Sequence, residues 1–209
     1  MSFSNLMSDR MCRPFSFNLE STGIGSRIGG KPPLDAIPTF DSICQKYFGT
    51  IELELNWCVS IFYSLDRHGN DESRDIISFN NRPLYSSELI QAVIHRSERM
   101  HDHSNILSEV TCHEINIESE QPDVADSDFV VPYSRSKIGG RPYVDNAAVV
   151  GGVFEQLLKD GFQQLLQFDT PNPRTHSHVV GFPWDPGWLH VFLRGTNVND
   201  YEFAFVIQQ

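Results

Sequence analysis

Histidines and acids in the middle of the chain are the residues whose spacing could support chemistry. His101 and His103 flank an aspartate, and His113 is followed by Glu114. Imidazole and carboxylate groups are ligands that zinc takes in catalytic sites. These histidines lie in polar stretches, however, which favours solvated loops without a metal. The sequence therefore predicts no metal site, and a small metal-dependent hydrolase built on this group remains an alternative.

The remaining histidines and the cysteines give weaker signals. His176 and His178 lie in a polar segment, and His190 alternates within a predicted strand, where we expect it to face solvent. The four cysteines lack the paired spacing of metal or redox sites, and we expect reduced, mostly buried thiols at Cys12, Cys44, Cys58 and Cys112. No nucleophile elbow, Walker phrase or His-Glu-x-x-His pattern is present. The sequence predicts no catalytic residue and no cofactor, and it favours a protein that is not an enzyme.

A ten-residue phrase occurs twice and indicates which elements position these residues. Residues 26–35 read Ser-Arg-Ile-Gly-Gly-Lys-Pro-Pro-Leu-Asp, and residues 136–145 read Ser-Lys-Ile-Gly-Gly-Arg-Pro-Tyr-Val-Asp. Six of the ten positions are identical, and three others keep charge or apolar character. Chance rarely supplies such a match, so the chain is predicted to be an internal duplication.

Each copy is predicted to run strand, Gly-Gly turn, helix and then several strands. Apolar residues spaced by three and four predict helices over residues 37–48 and 149–158, and Gly49 and Gly161 would cap them. A further helix is predicted from residue 86 to about 100, with Ser86 or Ser87 as its N-cap. The expected fold is α+β, with two pseudo-repeated halves and a mostly antiparallel sheet with a few helices. We expect one compact domain over 1–209, with repeats 13–80 and 111–209 and a helical insertion over 81–110.

The glycines and prolines of the repeated phrase are predicted to form structural turns. These residues are Gly29, Gly30 and Pro32 in the first copy, and Gly139, Gly140 and Pro142 in the second. Adjacent glycines permit positive φ angles, and the proline fixes the direction in which the chain leaves. A phosphate-cradling loop is the alternative, although such loops lead directly into a helix N-terminus.

The net charge of −11 disfavours direct nucleic-acid binding and would attract a basic protein partner. The acids are concentrated after the strands of the first copy and before the phrase of the second. The candidate partner-binding acids are Asp66, Asp71, Glu72, Asp75, Glu118, Glu120, Asp123, Asp126 and Asp128. Trp184 and Trp188 are candidate aromatic anchors, although packing in the core is the favoured interpretation of both. For the acids, a solvated loop without a binding role is favoured over a role in binding.

The second copy resembles the YwqG-like family of bacterial proteins. The resemblance rests on the Ser-Lys-x-Gly-Gly-x-Pro phrase at 136–142, on Leu-Leu-Gln-Phe-Asp at 165–169 and on Gly-Trp-Leu-His-Val-Phe at 187–192. It covers roughly residues 130–209, with a fainter echo over 13–80. The resemblance implies an α+β fold of two related halves, no established catalytic residues, and a role in immunity for members encoded beside toxin genes.

Three classes of function follow from these observations. The favoured class is a non-catalytic immunity protein that binds a cognate toxin, with a cytoplasm-acting nuclease as the leading candidate. The alternatives are the metal-dependent hydrolase and a ligand-binding module that uses the cleft between the two halves. The chain shows neither a secretion-signal pattern nor an apolar run long enough to span a membrane, so we expect a cytoplasmic protein without membrane contact.

Overall fold

In the computed structural model, the described part of the chain is almost entirely β-sheet. The described residues are 10–19, 25–39, 45–54, 56–64, 83–87, 89–96, 106, 108–124, 134–145, 150–172, 174, 177–184 and 187–208. Of these residues, 45% are in strands and 7% are helical. The prediction of an α+β fold with a few helices is therefore wrong. The described strands form a nearly closed antiparallel barrel.

Twelve strands and one helix are found among the described residues. The strands are β1 Met11–Phe17, β2 Arg27–Ile28, β3 Lys46–Glu52, β4 Trp57–Tyr63, β5 Leu84–Tyr85, β6 Ile90–Arg96, β7 His113–Ile117, β8 Gln121–Pro122, β9 Lys137–Gly139, β10 Gln163–Asp169, β11 Trp188–Arg194 and β12 Glu202–Gln208. The helix, α1, is Gly152–Lys159. Among the described residues, no helix is long enough and apolar enough to cross a membrane.

The strand order is the same on both sides of the central pair β1–β7. The order along the sheet is β5-β12-β11-β10-β9-β1-β7-β2-β3-β4-β6, and β8 also pairs with β1. Counting outward from the centre, β9, β10, β11 and β12 correspond to β2, β3, β4 and β6. The first strand of each copy pairs with the Gly-Gly strand of the other copy, β1 with β9 and β7 with β2. The two copies thus exchange their first strands.

The hydrogen-bond register repeats together with the strand order. Arg27 lies opposite Thr50 in the first half, and Lys137 lies opposite Gln167 at the equivalent place in the second. A bulge interrupts β3 and β10 at equivalent positions. Residues in β9, β10, β11 and β12 therefore have register counterparts in β2, β3, β4 and β6, which makes the first half a reference for the second.

The sheet is covered by apolar side chains on both faces. Phe48, Phe168, Phe182 and Trp184 meet in the barrel interior, where the ring centroids of Phe48 and Trp184 are 4.5 Å apart. On the outer face, α1 and its neighbours cover the second half, and a smaller cluster around Tyr47 covers the first. Because both faces are buried, the strands read as nearly continuous apolar runs without alternation.

The helix predicted over residues 37–48 is wrong where the structure describes it. Tyr47 and Phe48 lie in β3, and Gly49 lies inside that strand, not at a helix cap. Residues 40–44 of this prediction lie outside the described residues. A bulge between Tyr47 and Gly49 allows the successive residues Tyr47 and Phe48 both to be buried. Two adjacent apolar residues of this kind also fit the apolar face of a helix.

The helix predicted from residue 86 to about 100 is also wrong where the structure describes it, and residues 88 and 97–100 of this prediction lie outside the described residues. Residues 90–96 form β6, which pairs with β4 along its whole length. The Ser87 hydroxyl accepts the Leu89 N–H at 3.2 Å, but this bond closes a turn before a strand and does not cap a helix. The helix predicted over 149–158 is found as α1, and Gly161 after it has a φ of 83°.

Candidate functional site

The repeated phrases form two turns of left-handed backbone. The turns consist of Gly29, Gly30 and Pro32 in the first half and of Gly139, Gly140 and Pro142 in the second. All four glycines have φ between 69° and 78°, a conformation that favours glycine. In the second turn the Arg141 N–H donates to the Asp123 carboxylate at 2.6 Å. The anion at this turn is therefore the protein's own side chain.

A buried ion pair holds the second turn in place. Lys137 Nζ donates to Asp123 Oδ1 at 2.7 Å, and both side chains are completely shielded from solvent. Burial lowers the pKa of Lys137, and the Asp123 charge opposes that shift. A Cβ atom on Gly140 would lie 2.3 Å from Asp123 Oδ2, so this position has no room for a side chain. The prediction that Asp123 is an exposed partner-binding acid is wrong, because its carboxylate is an internal counter-charge.

Glutamine and histidine side chains extend the buried polar layer beside Lys137. Gln164 Nε2 donates to the Gly139 carbonyl at 3.0 Å, and Gln164 Oε1 lies 3.1 Å from His190 Nδ1, which donates to it. His190 is fully buried, and its ring lies 4.8 Å from that of Phe154 on α1. Desolvation, assisted by the Lys137 charge, lowers the pKa of His190 to about 3. The prediction that His190 faces solvent is wrong, and its imidazole is neutral.

The equivalent layer of the first half is a chain of hydroxyl groups. The Tyr47 hydroxyl lies 2.5 Å from Thr50 Oγ1, which lies 2.6 Å from Ser60 Oγ, which lies 2.8 Å from His95 Nε2. Since His95 Nδ1 donates to the Arg96 carbonyl at 2.7 Å, Nε2 is the acceptor of the Ser60 hydroxyl. Desolvation raises the pKa of Tyr47 to about 12. Ser60 is fully buried, so this serine–histidine pair cannot reach a substrate in solution.

Three side chains form a row across the end of the second half. Asp169 in β10 lies opposite Trp188 in β11, and Trp188 lies opposite Gln208 in β12. Directly opposed residues point to the same face, about 5 Å from one another. Trp188 is half-buried, and its Nε1 donates to the Ser134 carbonyl at 2.7 Å. We refer to Asp169, Trp188 and Gln208 as the Trp188 row.

The end of the repeated phrase packs on the Trp188 row. The rings of Tyr143 and Trp188 have centroids 5.3 Å apart. The Tyr143 N–H donates to Gln167 Oε1 at 3.0 Å, and the Asp145 N–H donates to Gln208 Oε1 at 3.3 Å. Two buried glutamines thereby hold the loop by its backbone, which brings an aromatic pair and two carboxyl groups together at a partly exposed place.

The electrostatics of this place are set by desolvation. Burial raises the pKa of Asp169 to about 7. The pKa of Tyr143 is raised by desolvation and by the nearby Asp145 and Asp169 carboxyl groups. Within the described residues, no hydrogen bond or ion pair to the Asp169 carboxyl is found. A carboxyl that titrates near neutral pH can exchange a proton, and it can bind a cation that relieves its unfavourable ionisation.

The other predicted partner-binding residues have different positions. Glu118 and Glu120 are exposed, and Trp188 is accessible in part, whereas Trp184 is fully buried in the barrel interior. The prediction of Trp184 as an interface anchor is therefore wrong, because its ring packs against Phe48 and Phe182. The remaining candidates lie outside the described residues: Asp66, Asp71, Glu72, Asp75, Asp126 and Asp128.

The histidines considered as metal ligands are only partly covered by the structure. His113 is buried, and its ring nitrogens lie 2.9 Å from the Asn18 carbonyl and 2.6 Å from Thr111 Oγ1. His101, His103 and His176 lie outside the described residues. Among the residues that the structure describes, no three His, Cys, Asp or Glu side chains come together as metal ligands would.

A pocket of about 350 Å³ lies where the last strand of the first half approaches that of the second. It is lined by Thr39, Ser86, Gln91, Ala92, Val93, Ile94, Val198, Tyr201 and Phe203. None of these lining side chains carries a charge. This pocket is where the ligand-binding alternative would place its cleft between the halves, and it suits a neutral molecule.

Comparisons of the chain with protein-family models, with curated proteins and with solved structures found no match. The resemblance to the YwqG-like family therefore stays a prediction. The residues that carried it nevertheless meet in space, since the Asp169 N–H donates to the Ser136 hydroxyl at 2.9 Å and Trp188 lies opposite Asp169.

Sequence reasoning missed most of the Trp188 row as a site. It singled out Trp188 but gave no role to Tyr143, Asp145, Asp169 or Gln208. A signal was present, because the repeated phrase and the Leu-Leu-Gln-Phe-Asp strand each end in an aspartate. What the sequence could not show is that β-sheet pairing places Asp169 opposite Trp188, and that hydrogen bonds to Gln167 and Gln208 bring the loop with Tyr143 and Asp145 to the same place.

Proposed function

We propose that the chain is a non-catalytic immunity protein that binds and neutralises a cognate toxin in the cytoplasm, with a nuclease as the leading candidate. The observation that carries the proposal is the location of the polar groups. Lys137, His190 and the Ser60–His95 pair, which could serve catalysis, are buried. The polar groups that solvent reaches are instead Asp169 and Trp188 of the Trp188 row, with Tyr143 and Asp145, where carboxyl groups flank aromatic rings. Aromatic side chains are enriched in protein-binding surfaces and supply much of their affinity.

The charge of the chain supports a basic partner. With a net charge of −11 and with Glu118 and Glu120 exposed, the protein attracts a positively charged surface. A nuclease toxin needs a basic groove to hold nucleic acid, so an acidic protein is complementary to it. Such complementarity raises the rate of association and penalises wrong partners.

Copurification with the product of the neighbouring gene tests this proposal. A stable complex that inhibits the toxin is the expected result, and the absence of any complex would reject the immunity function. Glu118→Lys together with Glu120→Lys should slow association about tenfold at low salt and weaken its salt dependence. The exposed acids Glu155 and Asp160 give a matched control, since their reversal to lysine changes the net charge equally at α1.

Equal slowing by both pairs of reversals would show that net charge alone steers the encounter. Unchanged association in both would remove electrostatic attraction from the proposal. Asp123 is left intact in these variants because its reversal would place two cations side by side in the interior.

A further inference from the structure

The Trp188 row contains a buried donor and an unsatisfied carboxyl group on the same face. Gln208 is only 1% exposed, and its Nε2 has no hydrogen-bond partner among the described residues, while its Oε1 accepts the Asp145 N–H. A buried amide donor without an acceptor is costly and rare in native proteins. Gln208 lies opposite Trp188 in the ladder, and its amide head contacts the Asp145 backbone, in the loop that carries Tyr143.

These groups define what a ligand must supply. The Asp169 carboxyl lacks a positively charged partner within the described residues, and Asp145 adds a second carboxylate. The faces of Tyr143 and Trp188 attract a cation through their π-electrons. The Gln208 amide needs an acceptor oxygen. A ligand that brings one cation and one carbonyl oxygen, joined by a few bonds, satisfies all of them.

We propose that the Trp188 row, with Tyr143 and Asp145, binds one arginine side chain of a basic protein partner, whose backbone carbonyl accepts the Gln208 amide. The identity of the partner as a toxin rests on the function proposed above, whereas the recognition of arginine rests on the geometry of the row. A planar guanidinium stacks on aromatic rings and bonds to carboxylates in pairs, which a lysine ammonium does not do equally well. A neutral sugar could stack and accept the amide, but it would leave the Asp169 charge uncompensated.

The first half shows what the row would look like without this function. Its counterparts of Asp169, Trp188 and Gln208 are Glu52, Cys58 and His95. No aromatic ring occupies the middle of that row, and Glu52 is exposed. The first half therefore offers a built-in control, and one arginine site is expected per chain.

The test uses N-acetyl-arginine amide, which carries the guanidinium and its own carbonyl groups, titrated into the full-length protein by calorimetry and by tryptophan fluorescence. We expect saturable binding of one molecule, with a Kd of about 1–10 mM for such a small ligand. N-acetyl-citrulline amide, the neutral isostere, should bind at least about tenfold more weakly. Asp169→Asn and Trp188→Leu should each weaken binding at least about fivefold, and the matched substitution Glu52→Gln in the first half should leave it unchanged. Asp169→Asn preserves shape, and its thermal unfolding is measured beside that of the parent to separate lost binding from lost folding.

The pH dependence gives a second readout. A bound cation favours the ionised Asp169, so affinity for the arginine amide should rise between pH 6 and pH 8, and this rise should vanish in Asp169→Asn. The described titratable groups beside Asp169 are Asp145 and Tyr143, and the pKa of Tyr143 is raised above its ordinary value of 10.0, so its hydroxyl stays neutral across this range.

Several results would overturn the inference. Equal binding of the arginine and citrulline amides would show that charge is not recognised. Binding of methyl glycosides with loss in Trp188→Leu, and none of the arginine amide, would assign the row to carbohydrate. Equal losses in Asp169→Asn and Glu52→Gln would place the site elsewhere. Failure of arginine binding while the toxin still copurifies refutes this inference alone, and arginine binding without a copurifying toxin refutes the immunity function alone.

Discussion

Removing one partner of the Lys137–Asp123 pair should strongly destabilise the protein. Both side chains are fully buried, with Nζ and Oδ1 2.7 Å apart, so neither charge can be solvated when the other is lost. Asp123→Asn keeps the shape and leaves an ammonium group in the interior without a counter-charge. Breaking a buried pair in this way costs about 3–5 kcal/mol. Stability of a single domain is about 5–15 kcal/mol, so this change consumes a large part of it.

The second single variant and the double variant separate charge from packing. Lys137→Met keeps an unbranched side chain one atom shorter, and it removes the ammonium while the Asp123 carboxylate still accepts the Arg141 N–H. The double variant Asp123→Asn with Lys137→Met leaves no buried charge in the pair. We expect it to be less destabilised than the sum of the two single variants by at least about 1 kcal/mol, because each single change includes the cost of an uncompensated charge.

Urea unfolding followed by tryptophan fluorescence measures these differences, provided that the slope of the transition stays constant between variants. The exposed pair Lys159–Glu155, at 4.0 Å on α1, is the matched control. Neutralising it should cost less than about 0.5 kcal/mol. If Asp123→Asn and Lys137→Met each cost less than about 1 kcal/mol and their effects add, the pair does not act as an internal counter-charge and the reasoning fails.

Two further predictions concern the turn and the Trp188 row. Gly140→Ala should lower the free energy of unfolding by more than about 1 kcal/mol, because φ is 73° and the new Cβ would lie 2.3 Å from Asp123 Oδ2. The control Gly152→Ala, whose new Cβ would have no atom within 4 Å, should be neutral or stabilising in thermal unfolding. Equal effects of the two changes would contradict the crowding at Gly140. Asp169→Asn should raise stability more at pH 8 than at pH 5. The folded pKa of Asp169, about 7, exceeds its ordinary value of 3.8, so the folded state holds more protons in between and loses stability as pH rises through that range. A gain of the same size at both pH values in urea unfolding would show that ionisation of Asp169 carries no penalty.

The internal duplication is the feature of the fold that the sequence indicates most clearly. The repeated phrase predicts equivalent places for its residues, and Arg27 and Lys137 do occupy equivalent register positions. The phrase could not indicate that the first strands are exchanged. That arrangement depends on pairing between β1 and β7, where Ser16 lies opposite Asn116, which is a contact between residues 100 positions apart. Apolar patterns report burial along a chain and carry no information about which distant strand is the partner.

Helix and strand could not be separated where the sheet is covered on both faces. In β6, Ile90, Ala92 and Ile94 alternate with Gln91 and Val93, and both sets pack against other residues. A run in which apolar and polar residues do not alternate regularly fits a helix face as well as a strand, and the serines before β6 match the pattern of a helix N-cap. The helix α1 was predictable because its outer face is charged and exposed, which gives the periodicity a direction.

Each half buries one cation, and the groups that pair with it differ because the connections before Arg27 and before Lys137 differ in length. Arg27 follows Phe17 by 10 residues, whereas Lys137 follows Ile117, the counterpart of Phe17, by 20. The longer connection contains β8 and Asp123, and it supplies a carboxylate to the ammonium.

The shorter connection of the first half holds its cation without a described carboxylate. The Arg27 guanidinium is fully buried and donates to the Gly25 and Lys31 carbonyls, each at 3.0 Å. A guanidinium has five donors in a fixed fork, so its two terminal nitrogens can each donate to a different backbone carbonyl. The ammonium of the second half is instead paired with the carboxylate of the extra segment. The same segment carries the exposed Glu118 and Glu120, so the internal counter-charge of the second half and two of its surface acids come from one stretch of chain.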